Sequence, residues 1–241
     1  MNSISSQMAD GLGTEAFTNR LWIVVPAFNE QAVIRNVVAE LRTAGYRTLV
    51  VDDCSSDETG ATAAGAGATV LRHAINLGQG AALQTGITYA LRCGAEAIVT
   101  FDADGQHRVS DIEVLIDVWR RNEADVVVGS RFLGGAIGMP LSRYFLLRAA
   151  VWFMRRMSGV ALTDAHNGLR LLSAEAARRI QITQNRMAHA SEIVEQIGVL
   201  GLKVVEAPVT IKYTAYSICK GQKLGDSISI VMDLLAARVQ Q

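Results

Sequence analysis

Ala95-Glu96-Ala97-Ile98-Val99-Thr100-Phe101-Asp102-Ala103-Asp104 is a short apolar run that ends in two carboxylates. Ala95 to Phe101 predict a buried strand ending at Asp102, because an apolar run of this length without polar alternation is covered on both faces. Ionised side chains are costly there, so Asp102 marks the point where the chain leaves the core. The pattern repeats outward. Residues 79–93 precede the run with a helical period, and 109–123 follow it with another. Leu21-Trp22-Ile23-Val24-Val25, Thr48-Leu49-Val50-Val51 and Thr69-Val70-Leu71 read as three earlier strands, and 125–129 as a fifth. Residues 30–44 carry Val33, Val37 and Leu41 with Gly45 behind them, an amphipathic helix with a glycine stop. Residues 57–66 read as a short helix. Strands alternating with helices imply βαβ units and an α/β fold, a mostly parallel central sheet with helices on both faces. Ligands of such sheets sit beyond the carboxyl ends of the strands.

The chain has 241 residues, half of them hydrophobic, enough for a sizeable core. Lysine plus arginine and aspartate plus glutamate number 23 each. That balance argues against a general nucleic-acid binder, which needs a basic surplus. Mean hydropathy is +0.22, yet no apolar run approaches the ~20 residues that span a bilayer. Cys54, Cys93 and Cys219 are too few and too scattered for a disulfide framework or a zinc site. A reducing cytoplasm is expected, and no secretion signal is visible near the start. Residues 1–19 read as a flexible N-terminal arm and 20–241 as one domain. Gly134-Gly135-Ala136-Ile137-Gly138 reads as a mobile loop and 141–158 as a helix. Residues 201–213 read as two extended stretches around Pro208, 213–225 as a polar loop, and the remainder up to 239 as a closing helix.

Asp102 and Asp104, at i and i+2 beyond a strand, make a compact oxygen-rich site suited to Mg²⁺ or Mn²⁺ in company with substrate phosphates. Gln106 and His107 follow directly. Asp53 closes the second strand, where a carboxylate either accepts hydrogen bonds from a nucleoside or caps a turn; Asp57 fits a cap better. Asn76-Leu77-Gly78-Gln79-Gly80 offers glycine amides, Gly80 among them, at a helix start. Gly65-Ala66-Gly67-Ala68 lacks the third glycine of a dinucleotide loop and follows a helical stretch. Lys220 lies in a polar loop able to close over a diphosphate. His73, His189 and Trp119 read as structural.

Five segments occur in order: Val25-Pro26-Ala27-Phe28-Asn29-Glu30, Val51-Asp52-Asp53-Cys54-Ser55-Ser56-Asp57, Asn76-Leu77-Gly78-Gln79-Gly80, Asp102-Ala103-Asp104-Gly105-Gln106-His107 and Gly129-Ser130-Arg131-Phe132. Together they resemble the family-two inverting glycosyltransferases of GT-A fold, and among these the dolichyl- and polyprenyl-phosphate mannose and glucose synthases. The resemblance covers about residues 21–212. It divides the domain into a nucleotide-sugar half, 20–131, and an acceptor half, 132–241. It implies Pro26, Asn29 and Glu30 around the nucleotide, Asp53 on the base, and Asp102 and Asp104 holding the donor through the metal with help from Gln106. Arg131 would approach the donor diphosphate or the acceptor phosphate, and Arg143 the acceptor phosphate. Asp164-Ala165-His166-Asn167-Gly168-Leu169-Arg170 resembles the synthases' Asp-x-x-Ser-Gly-Phe-Arg segment, which implies an acceptor-side role for Arg170; Asn167 and Leu169 depart from it. Gln79 stands where a lysine is frequent.

The implied reaction is inverting, metal-assisted transfer of a hexose from a UDP- or GDP-sugar to a polyprenyl phosphate. A saccharide acceptor stays open, with Glu192 as general base at a place where saccharide-transferring relatives carry a carboxylate; the plain alternative is a helix-surface glutamate. A nucleotidyltransferase is disfavoured, since Pro26-Ala27-Phe28-Asn29-Glu30 stands where a glycine-rich basic loop belongs. A non-catalytic nucleotide-sugar-binding partner of a membrane protein also stays open. The 141–158 helix carries Arg148, Trp152, Arg155 and Arg156 on one side, which fits an anionic membrane surface or a solvated basic face. Together these place the protein in the cytoplasm, peripheral to the membrane, alone or with a small membrane partner subunit.

Overall fold

A computed structural model of the protein describes residues 20–213 apart from Met187. The expected N-terminal arm, the polar loop beyond Tyr213 and the closing helix lie outside the described residues. The elements follow in the order β1 (Leu21–Ala27), α1 (Gln31–Thr43), β2 (Arg47–Asp52), α2 (Thr59–Gly65), β3 (Thr69–Arg72), α3 (Gln79–Arg92) and β4 (Ala97–Thr100). Then come α4 (Ser110–Asn122), β5 (Val126–Ile137), α5 (Leu141–Ser158), β6 (Arg170–Ser173), α6 (Ala174–Arg179), α7 (His189–Val199) and β7 (Val204–Lys212).

One seven-stranded sheet runs β3-β2-β1-β4-β6-β5-β7. Every pairing is parallel except those of β6, which lies antiparallel between β4 and β5. Alternation along β1 divides its side chains between the two faces. Leu21, Ile23 and Val25 join Ile34 and Leu41 of α1 and Ile112 and Leu115 of α4. Trp22 and Val24 join Leu83 and Ile87 of α3 and Ile193 and Ile197 of α7. The inward side chains of β1 and β4 are fully covered on both sides, which explains their continuous apolar sequence.

Two expectations need correction, and one element was not foreseen. The stretch 134–138 is not a loop: β5 continues to Ile137 and pairs with β7 through Gly135, Ala136 and Ile137 after a register shift. A Cβ at residue 134 would sit 2.3 Å from the Val209 carbonyl oxygen, so glycine there permits close strand contact. Pro208 does not split the following stretch. It sits within β7, the last strand of the sheet among the described residues, where a residue without an N–H is tolerated on the side away from β5. Finally, β6 has no counterpart in the periodicity, because four residues led by a buried arginine give no strand signal.

Candidate active site

The carboxyl ends of β1, β2, β4 and β5 share one edge of the sheet, and the antiparallel β6 brings its beginning to the same edge. Thr100 pairs with Arg170, so the 164–170 segment is laid directly against the end of β4. The Thr100 hydroxyl donates to the Gly168 carbonyl at 2.6 Å. Gly168 then lies on Asp102: a Cβ at 168 would be 2.1 Å from Oδ2.

Asp102 is held from both sides. Gln79 Nε2 donates to Oδ1 at 3.1 Å, and His107 Nε2 stands 3.1 Å from Oδ2. The His107 ring is buried edge-on to Phe101. Burial alone would raise the Asp102 carboxyl; the His107 hydrogen bond and the charges of His107, His189 and Arg170 outweigh it and keep the group below its usual range. Asp104 goes the other way. Burial, then the charge of Asp102, with a smaller push from Glu30, raises it to about 6. Glu30 is itself buried at the start of α1, its N–H donating to Thr59 Oγ1. Three acids thus converge electrostatically on one spot.

Among the described residues no cluster of three or more His, Cys, Asp or Glu side chains converges as a complete metal centre. The Asp102–Asp104 pair still suits a hard divalent cation, because two carboxylates at i and i+2 are brought together where burial, and after it the charge of Asp102, make the ionised form of Asp104 costly without a cation. The Gln106 N–H donates to Asp104 Oδ1, which shapes the turn around the pair.

Asp53 accepts the N–H groups of Leu77 and Gly78 at 2.9 and 2.6 Å and contacts His73 Nδ1 at 2.7 Å. His73 continues to Thr85 Oγ1. In this arrangement Asp53 orders the 73–78 loop, and His73 is part of that scaffold. Asn29, at φ 53°, accepts from the N–H and hydroxyl of Ser56, so the ends of β1 and β2 are stitched together next to the buried Pro26. Asp57 takes the Thr59 N–H at 3.0 Å in an Asx turn, while the N-cap position itself is Glu58.

The expected free amide at Gly80 is engaged. Its N–H donates to the Asn185 carbonyl at 2.8 Å. Glu192, on α7, accepts from the N–H groups of Thr183 and Gln184 at 3.0 and 2.9 Å and from the Thr183 hydroxyl.

On the acceptor side Arg131 is buried. Its Nε donates to Asp164 Oδ2 at 2.6 Å, and Nη1 donates to the Tyr213 hydroxyl at 2.6 Å. Burial opposes the Arg131 charge, but Asp164 and Tyr213 more than restore it. Arg143 lies over the Tyr213 ring, 5.1 Å from its centroid. Tyr213 therefore connects the two arginines, a link that spacing does not reveal. Arg170 is buried, bonded through Nη2 to the carbonyl of Ala165, with its Nε unpartnered among the described residues; burial lowers it to about 10. His166, lowered to about 4 by burial and by Arg170, is a neutral imidazole beside Ser191. His189, read from sequence as structural, stands in the same group: burial, with help from Arg170, holds its ring below the usual histidine range, and its protonated form lowers Asp102. Lys220 lies outside the described residues. A separate groove of about 610 Å³, lined in part by Glu96, Trp119, Asp125 and Arg178, opens at the amino ends of β4 and β5 and includes none of these groups.

The family model described as glycosyl transferase family 2 matches residues 22–179, from β1 to the end of α6. The chain belongs to glycosyl transferase family 2. A UDP-N-acetylglucosamine–dolichyl-phosphate N-acetylglucosaminyltransferase of Methanococcus voltae is 29% identical, over 91% of this chain and 96% of its own. An undecaprenyl-phosphate mannosyltransferase of Micrococcus luteus is 31% identical, over 79% of this chain and 83% of its own. The fold matches the crystal structure of glucosyl-3-phosphoglycerate synthase from Mycobacterium tuberculosis in complex with Mn²⁺, UDP-glucose and phosphoglyceric acid. That match has a TM-score of 0.72 at 18% identity and covers 92% of this chain and 81% of that one. The protein is thus a glycosyltransferase of GT-A fold. The family match contains the Asp102–Asp104 turn, Arg131 and the 164–170 segment, whereas Glu192 and Tyr213 lie beyond it.

Proposed function

We propose that this glycosyltransferase moves a hexose, with inversion, from a nucleoside diphosphate sugar to a polyprenyl phosphate. The observation that carries the donor half is the acid pair at the end of β4, Asp102 fixed by Gln79, His107 and Gly168 and Asp104 raised by burial, by Asp102 and to a smaller degree by Glu30. Asp102, Asp104 and Gln106 are the residues that would hold Mg²⁺ or Mn²⁺ here. Bound there, the cation would neutralise charge on the departing diphosphate. Pro26, Asn29, Glu30 and the Asp53-ordered loop frame the nucleotide side.

The acceptor half is supported by the surface beyond Arg131. Residues 132–163 contain no aspartate or glutamate and four arginines, Arg143, Arg148, Arg155 and Arg156. Leu141, Phe145 and Trp152 are 77%, 67% and 70% exposed. With Arg148 they follow the i, i+4, i+7, i+11 spacing of one helix stripe. Leu133 and Ile137 at the end of β5 are exposed too. An apolar stripe with arginines and no acids is suited to the headgroup level of an anionic bilayer. Among the described residues no helix is long and apolar enough to cross a membrane. The two relatives named for lipid-phosphate acceptors support the same reading.

In this reading the acceptor phosphate approaches past Arg143, with Arg170 supplying positive charge behind it and Tyr213, held by the Asp164-paired Arg131, ordering Arg143. A phosphate oxygen attacks the anomeric carbon, the bond from that carbon to the donor diphosphate breaks, and the configuration inverts. The attacking oxygen is already anionic, so no general base is required. The test is a screen of UDP- and GDP-hexoses with Mn²⁺ and undecaprenyl phosphate. Formation of a glycosyl lipid by the wild type and its loss in Asp104→Ala support the proposal; transfer only to free saccharides contradicts it.

A further inference from the structure

Residues 181–185 form a strap whose backbone is tied down almost entirely by side chains. The N–H of Gln181 donates to Gln196 Oε1, that of Ile182 to Gln84 Oε1, and those of Thr183 and Gln184 to Glu192. Gln84 belongs to α3, while Glu192 and Gln196 belong to α7, so the strap bridges the two helices. Its far end presses on the start of α3. The Asn185 carbonyl accepts the Gly80 N–H. A Cβ at residue 78 would sit 2.3 Å from the Asn185 oxygen, and one at residue 80 would sit 2.0 Å from the Gln184 oxygen. The contact is backbone against backbone, without slack for a methyl group. Between those glycines stands Gln79, whose amide donates to Asp102.

From this geometry we infer that Glu192 is a positioning residue for the donor site and not a base. Its carboxylate takes three hydrogen bonds from the strap and is the charged member of the set that holds it. The strap sets the first turn of α3, and that turn sets Gln79 against Asp102. A carboxylate already accepting three local donors is poorly placed to collect a proton from an acceptor hydroxyl, and although the Glu192 hydrogen bonds lie near solvent, the strap is fixed because each N–H from 181 to 184 is taken by a side chain of α3 or α7. The inference rests on the proposal that Asp102 belongs to the donor site.

The experiment compares wild type, Glu192→Ala, Glu192→Gln and Thr183→Val. Amide hydrogen exchange without ligand reads the strap and residues 79–82 separately. Steady-state kinetics with undecaprenyl phosphate, Mn²⁺ and the nucleotide sugar that the wild type uses give donor KM, kcat and their pH dependence. For Glu192→Ala, exchange rises in both segments, donor KM rises about tenfold, and kcat stays within about threefold with an unchanged pH profile. Glu192→Gln, which retains an acceptor oxygen, falls between Ala and wild type. Thr183→Val, which removes a single hydroxyl, raises donor KM about threefold and carries the test if Glu192→Ala does not fold.

A fall in kcat of about a hundredfold or more in both Glu192 variants, with loss of the acidic limb of the pH profile, identifies a base and overturns the inference. Faster exchange in the strap with unmoved residues 79–82 and unmoved donor KM reduces Glu192 to a stabilising role and also overturns it. A wild type that binds neither UDP nor GDP with Mn²⁺ overturns the donor-site proposal and this inference with it. Donor binding that is intact and equal in all variants overturns the positioning role alone.

Discussion

Gly168 and Asp102 are in contact so close that a methyl group on residue 168 would overlap the Asp102 carboxylate, 2.1 Å from Oδ2. The side chain of residue 168 is therefore decided by the acid it covers. Gly168→Ala should fold, because the Thr100–Arg170 pairing around it is made by backbone, yet it must displace Asp102. Misplacement by about 1 Å costs on the order of a hundredfold in rate. Glycosyl transfer should fall by about that factor, with circular dichroism unchanged. Wild-type activity in this variant would mean that Asp102 does not need its observed position.

Asp104 links pH to stability. Burial and Asp102 raise its carboxyl from 3.8 in the unfolded reference to about 6 in the folded protein. The folded chain holds that proton more tightly, so the stabilisation is complete below about pH 4 and is lost as pH rises through about 6. Asp104→Asn, measured without divalent cation, should match wild type near pH 4 and be more stable near pH 7.5, by on the order of 1 kcal/mol. Urea titrations at the two pH values check this. Adding Mn²⁺ should then raise the wild-type Tm and leave the variant's unmoved.

The Arg131–Asp164 pair is almost wholly buried, with side-chain exposures of 7% and 1%. Asp164→Asn leaves the guanidinium without its charge partner and should destabilise by about 3–5 kcal/mol. Replacing both partners, Arg131→Met with Asp164→Asn, should be less damaging to stability than Asp164→Asn alone, though inactive. A denaturation cycle over the four proteins gives the coupling, and strict additivity would refute it.

The α5 stripe gives a membrane prediction. Phe145→Glu with Trp152→Glu should lower co-sedimentation with phosphatidylglycerol vesicles by about tenfold or more, with little change on neutral phosphatidylcholine vesicles. The substituted side chains are exposed, so Tm should hold within a few degrees. Equal vesicle binding by wild type and variant would remove the membrane from the account.

The fold was legible wherever an apolar run stopped at an acid. The ends of β2 and β4 announce themselves because Asp52 and Asp102 cannot stay in the core unpaired. The same contrast located Asp102 and Asp104 as the chemical centre. What stayed hidden was assembled by tertiary contact. β6 is four residues long and opens on Arg170, so it carries no period. The continuation of β5 passes through Gly134 and Gly135, which read as a loop until the backbone of β7 is laid beside them. Arg170 and His189 reach the Asp102 neighbourhood from more than sixty positions away, and His166 meets Ser191 beside Arg170; no local spacing links them. The contacts of Glu192 depend on a strap without regular structure, invisible to any pattern of hydrophobicity.

The most direct measurement of the central claim is transfer of labelled hexose to undecaprenyl phosphate by wild type, Asp102→Asn and Asp104→Asn, across a Mn²⁺ titration. The account predicts transfer that rises and saturates with Mn²⁺ in the wild type and falls by about a thousandfold or more in each variant. Transfer that persists in both variants at similar rates would contradict it.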